Sequence, residues 1–217
     1  MTRGGESARA PSVAVEVRDR LAVIRINRPS ERNALSTATL EGLELAFNSL
    51  AARNQITSVI FTGTDDVFAS GADIRELHAL TPAAAGEFAA RGQRLFRRIA
   101  DASRLTIAAV NGYCMGGGLD LALACRVRVA SPDAVFAHPG ARLGIITGWG
   151  GTQRLPRLVG AARAFEMFVT TRRVGATEAL EIGLVDVLAE DALEGAFGIA
   201  RSRVEKAATP TDAGVTS

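Results

Sequence analysis

Three short apolar runs, Ser58–Thr62, Leu105–Val110 and Val127–Ala130, alternate with longer stretches whose apolar residues recur at helical spacing. After Ser36, a residue suited to an N-cap, Leu40, Leu43, Phe47 and Leu50 share one face and predict a helix to about Arg53. Phe88, Leu95, Phe96 and Ile99 do the same in the Ala-rich stretch 82–101, and a further helix begins at Leu119. Strand, helix, strand, helix, strand in this order requires crossover connections. The chain is therefore expected to be an α/β protein built on a mostly parallel sheet.

The flanks add to this frame. Val13, Val15 and Val17 alternate with Ala14 and Glu16 and predict a strand, hairpinned through Arg18-Asp19-Arg20 to a second strand, Leu21–Ile26. Helices are expected at 150–158, 160–170, 177–182 and 190–206, with a short strand over 184–188. Residues 1–12 and 208–217 are polar and are expected to be loose. A chain of 217 residues fits one domain with a sizeable core. Its 25 Lys and Arg are scattered, with a net charge of +2, which argues against a nucleic-acid partner. Cys114 and Cys125 make no disulfide framework, residues 1–12 hold no apolar leader, and no run is apolar enough to cross a bilayer, so a cytoplasmic protein without a membrane partner is expected. No His, Cys and Asp spacing suggests a metal.

Two loops carry the functional reading. Phe68-Ala69-Ser70-Gly71-Ala72-Asp73-Ile74 follows a strand and leads into a helix, and so does Asn111-Gly112-Tyr113-Cys114-Met115-Gly116-Gly117-Gly118-Leu119-Asp120. Glycine lets a backbone come close to a ligand. The first amides of a helix have no internal acceptor and lie at its positive end. Two such ends facing each other would aim two N–H donors at one anionic atom. Each loop alone is as compatible with a plain tight turn. Neither has the spacing of a dinucleotide or triphosphate loop.

Together with other pieces they resemble the enoyl-CoA hydratase/isomerase (crotonase) family. The matching pieces are Asn27-Arg28-Pro29 with Arg32-Asn33-Ala34-Leu35-Ser36, then residues 68–77 and 110–120. Phe136-Ala137-His138-Pro139, Leu143-Gly144-Ile145, Gly150-Gly151-Thr152-Gln153-Arg154-Leu155-Pro156 and residues 176–185 follow in order. The resemblance implies a spiral of β-β-α units over 13–207 with flanking helices, and a homotrimer or hexamer. It implies an acyl-CoA thioester as substrate, coenzyme A being part of it and no separate cofactor being needed. By motif, the amides of Ala72 and Gly117 would hold the thioester oxygen as an enolate forms. Asn33, Ala34, Leu35, Ala69, Ser70, Gly71, Asp73 and Ile74, with Gly116 and Gly140, would contact the substrate.

The chain departs from the family pattern in two ways. Of the two acid–base carboxylates of the hydratases, the first is matched by Asp120 in place of Glu, and the second position is Gly140, which has no side chain. Three readings follow: a hydratase or isomerase working with Asp120 and an ordered water, a decarboxylase that needs mainly the two amides, or an acyl-CoA-binding protein without chemistry. Asp120 could also simply complement its helix dipole. His138, two residues before Gly140, is more often a packed histidine, but could supply a proton where the carboxylate is gone. Trp149 could wall an acyl pocket or fill the core. His78 reads as a helix-surface residue, and Cys114 and Met115 as packing beneath the glycine loop. The second departure is length: the C-terminal helical region is shorter than the family's, so assembly and part of the nucleotide pocket are left open, and uncovered apolar surface is expected.

Overall fold

The computed structural model describes residues 11–208. The loose stretches expected at 1–12 and 208–217 lie outside these residues, apart from Pro11, Ser12 and Ala208. β1 (Val13–Arg18) and β2 (Leu21–Ile26) form the expected antiparallel hairpin, with Asp19 in the left-handed region at φ 55° between them. β2 is followed in space by β3 (Ser58–Thr62), β5 (Leu105–Val110), β7 (Val127–Ala130) and the two-residue β10 (Val187–Leu188), all parallel.

Both faces of this sheet are covered, which explains the uninterrupted apolar runs. Alternate residues separate cleanly. Ala22, Ile24, Val59, Phe61, Ala108 and Val110 join the large core under α1 (Thr37–Ala51) and α3 (Pro82–Ala100). Leu21, Val23, Ile60, Ile107, Ala109 and Val129 pack instead on Ala192, Ala196, Phe197 and Ala200 of α8 (Ala192–Ala208). Each fully buried Phe or Ile contributes roughly 1.5–3 kcal/mol of transfer free energy. Ser36 caps α1 as expected, its hydroxyl accepting from the Thr39 amide at 3.1 Å.

The two glycine-rich loops, together with residues 135–137 and 174–175, contain a second, four-stranded sheet. Its strands are β4 (Val67–Ala69), β6 (Tyr113–Met115), β8 (Val135–Ala137) and β9 (Val174–Gly175), with β4, β6 and β8 parallel and β9 antiparallel. The turns that begin at β3 and β5 thus each give one strand to the large sheet, one to the small sheet, and then helix: α2 (Ile74–Ala79) and α3 after β4, and α4 (Gly117–Ala124) after β6. This is the repeated β-β-α spiral. The corner between sheets requires close backbone approach, since a Cβ on Gly112 would lie 2.0 Å from the Asp66 carbonyl oxygen. Asn111 ties the same corner together, its Oδ1 accepting the Gly63 amide and its Nδ2 donating to the Asp65 carbonyl.

One expected strand shrinks. Of 184–188 only β10 pairs, because the end of α7 (Ala176–Glu181) folds back through Gly183 (φ 78°) and the amides of Leu184 and Val185 both donate to the Ala179 carbonyl. α5 (Gly151–Val159) and α6 (Ala161–Thr170) complete the fold and leave Phe165 and Val169 exposed.

Candidate active site

β4, β6 and β8 end side by side, and their C-terminal extensions wall one cavity of about 260 Å³. The ends of parallel strands are where α/β sheets hold ligands. Ser70, Gly71 and Ala72 come from the first strand end, Gly116 and Gly117 from the second, and His138, Pro139 and Gly140 from the third. Ile74 and Leu77 of α2, Phe88 and Ala89 of α3, and residues 145–149 close the apolar remainder.

The geometry of Ala72 follows from its neighbours. The Leu35 amide donates to the Gly71 carbonyl at 2.7 Å, and the Asp73 amide donates to the Leu35 carbonyl at 3.3 Å. In a parallel bridge of this kind the central residue turns its own N–H and C=O the other way. Ala72 therefore presents its amide on the side away from Leu35. Gly117 is the first residue of α4, so its amide has no acceptor within the helix. Among the described residues, no turn, loop or cap acceptor takes either amide. The two loops touch: a Cβ on Gly71 (φ 101°) would lie 3.4 Å from the Gly117 nitrogen. A Cβ on Gly117 itself would meet the Trp149 ring at 2.3 Å, and one on Gly118 the Ala69 carbonyl at 2.4 Å.

Other residues singled out from the sequence fall behind the wall. Asn33, Ala34, Leu35, Ala69 and Asp73 are buried and do not line the cavity. Asn33 is committed internally, Nδ2 donating to the Val67 carbonyl at 2.6 Å while Oδ1 accepts the Arg28 amide and the Thr64 hydroxyl. Asp73 caps α2 by accepting the Arg75 amide. Asp120 is fully buried, one layer behind the lining. Its Oδ2 accepts the Thr147 hydroxyl and, at 3.1 Å, the Trp149 amide. Its Oδ1 lies against Gly151 and makes no full hydrogen bond. Burial pushes this carboxyl up to about 6, against the pull of Thr147, the Trp149 amide and the Arg154 charge.

His138 is 2% exposed, with Nε2 at 3.7 Å from Asp120 Oδ1 and its ring beside Phe168 at 4.9 Å. Burial lowers its pKa to about 4, so it is neutral at pH 7. Trp149 fills both roles left open for it, lining the cavity while packing on Phe88 at 5.2 Å and Phe96 at 5.6 Å. His78 lies on the exposed side of α2. The cavity contributions of Leu77, Leu80 and Ala85 were not foreseen, because nothing distinguishes such residues from ordinary helix packing.

Residues 16–213 match the enoyl-CoA hydratase/isomerase family. The chain belongs to that family. It is 39% identical to a short-chain-enoyl-CoA hydratase of Clostridium acetobutylicum, over 82% of this chain and 69% of that one. It is 42% identical to a crotonyl-CoA hydratase of Syntrophomonas wolfei, over 81% and 68%. The crystal structure of an enoyl-CoA hydratase from Bacillus anthracis superposes with a TM-score of 0.85 at 34% identity, over 89% of this chain and 76% of that one. Within the enoyl-CoA hydratase/isomerase family, this member has Asp120 and Gly140 at the two positions where the resemblance leads one to expect glutamates. The glycine is not an empty socket: a Cβ there would lie 2.7 Å from the Ile145 carbonyl oxygen.

Proposed function

We propose that the protein is an enoyl-CoA hydratase/isomerase-type enzyme whose substrate is an acyl-CoA thioester. The thioester oxygen accepts from the amides of Ala72 and Gly117, and Asp120, the one acid–base carboxylate matched by motif, bears on proton transfer from behind the cavity wall. The observation that carries this reading is the pair of unclaimed amides, one turned outward by the Leu35 bridge and one at a helix start, in loops that touch at the wall of one apolar cavity. Addition of water to an α,β-unsaturated thioester, or migration of its double bond, passes through an enolate with charge on that oxygen. Donors fixed at that point bind the transition state better than the substrate.

The testing experiment is consumption of crotonyl-CoA and longer enoyl-CoAs, followed by loss of the enoyl absorbance, for the parent chain and Asp120→Ala. Turnover that falls sharply in the variant supports the reading, and absence of turnover on every chain length refutes it. Gly140 favours one second reading. With backbone occupying the space of the second carboxylate, the two amides could serve decarboxylation of a malonyl-type thioester, where loss of CO₂ generates the enolate without a base. Release of CO₂ from methylmalonyl-CoA would select it. Binding of acyl-CoA with no turnover of any thioester would leave a non-catalytic acyl-CoA-binding protein.

A further inference from the structure

We propose that His138 is the group that exchanges protons with the substrate, and that Asp120 acts on it as a positioning residue. This rests on the enoyl-thioester reading above. His138 lines the cavity and Asp120 does not, so a carboxylate in that position can influence the substrate only through what stands between them. The register of the small sheet fixes the imidazole beside the oxyanion loop. The Gly116 amide donates to the Ala137 carbonyl at 2.9 Å, so residues 117 and 138 leave neighbouring strands together.

Three polar atoms meet here without a full hydrogen bond among the described residues: Asp120 Oδ1, which has only a weak approach from the Gly151 backbone, and both ring nitrogens of His138. A histidine serving only as packing would be expected to satisfy at least one nitrogen, and buried polar groups left unpaired call for a reason. The other carboxylate oxygen is held by Thr147 and the Trp149 amide, which fixes Oδ1 toward Nε2 at 3.7 Å. Burial keeps the imidazole neutral, so a ring lone pair is free to accept a proton. The nearby carboxylate then stabilises the imidazolium.

The chemistry balances with one proton. A ring nitrogen takes a proton from water as the water oxygen bonds to Cβ. The Cα=Cβ electron pair moves to form the enolate, whose oxygen faces the two amides. The enolate collapses as the imidazolium returns the same proton to Cα. One O–H bond and the Cα=Cβ π bond are broken, one C–O and one C–H bond are formed, there is no net oxidation, and the sum is water plus enoyl thioester giving 3-hydroxyacyl thioester. No second carboxylate is needed at position 140.

The test compares the parent chain, His138→Ala, His138→Gln and Asp120→Asn in crotonyl-CoA hydration, with butyryl-CoA binding and circular dichroism as controls for folding. The His138 variants should lose on the order of 10²-fold or more in kcat while binding butyryl-CoA as the parent does. Added imidazole should restore part of the activity of His138→Ala, and none to Asp120→Asn. If His138→Ala does not fold, His138→Gln, closer in size, carries the comparison. An active parent with kcat unchanged in His138→Gln overturns the inference and leaves the proposed function standing. So does a lost kcat accompanied by lost butyryl-CoA binding and no response to imidazole, the pattern of a packing residue. A parent inactive on every enoyl-CoA overturns both.

Discussion

Replacing Asp120 by Asn removes one of two buried titrations and leaves the other. Burial raises the Asp120 carboxyl from its ordinary 3.8 to about 6. The folded value is the higher, so its contribution to stability is complete below 3.8 and is lost as pH rises through 6. At about 1.4 kcal/mol per pH unit, the loss is about 3 kcal/mol. His138 runs the other way, lowered by burial from 6.5 to about 4. Its folded value is the lower, so its contribution is complete above 6.5 and is lost as pH falls through 4, again by about 3 kcal/mol. In the parent chain the two nearly cancel between pH 4 and pH 6.5. In Asp120→Asn only the histidine remains, and stability should rise across that window by about 3 kcal/mol more than in the parent. His138→Leu should show the opposite difference. The assay is urea unfolding at closely spaced pH values, where surface groups common to the three chains drop out of the difference. If Asp120→Asn follows the parent within about 1 kcal/mol throughout, burial is not controlling these two groups and the reasoning fails.

Three further outcomes are expected. Gly117→Ala places a methyl 2.3 Å from the Trp149 ring, and should lower stability by about 1–3 kcal/mol and turnover by roughly 10²-fold as the amide is re-aimed, read by calorimetry and by enoyl-CoA consumption. Asn33→Ala removes three internal hydrogen bonds and should destabilise by roughly 1–3 kcal/mol in urea unfolding, with KM for an enoyl-CoA unchanged; a raised KM at full stability would make Asn33 a ligand contact instead. Cys114 and Cys125 are both buried, with burial pushing the Cys125 thiol up to about 12 and Cys114 well above its ordinary value, so a thiol reagent at pH 8 should label neither until the chain unfolds.

The large sheet was legible because its central strands β2, β3 and β5 are five or six largely apolar residues long and its helices carry a clear face. The small sheet was not, since strands such as Val67–Ala69 and Tyr113–Met115 are three residues long and lie within turn-forming sequence. Alternation cannot be recognised over three positions. The glycine loops could be read because close approach and helix starts need particular residues. Depth could not: nothing in the order of Asp120 and His138 says that the histidine stands in front. That ordering comes from the register of β6 on β8 and from the anchoring of Asp120 by a segment 27 residues away, at Thr147. Asn33 lay within a matching motif, and its commitment to Arg28, Thr64 and Val67 is a tertiary fact.

Trp149 has a consequence for motion as well as shape. Its indole fills the space that side chains at Gly92 of α3 and at Gly117 would need, with a Cβ at either lying 2.3 Å from the ring. Helix and loop are thereby wedged against a single rigid plate. A tilt of α3 is transmitted to the direction of the Gly117 N–H, and substitutions on the far side of that helix can detune the cavity without touching it.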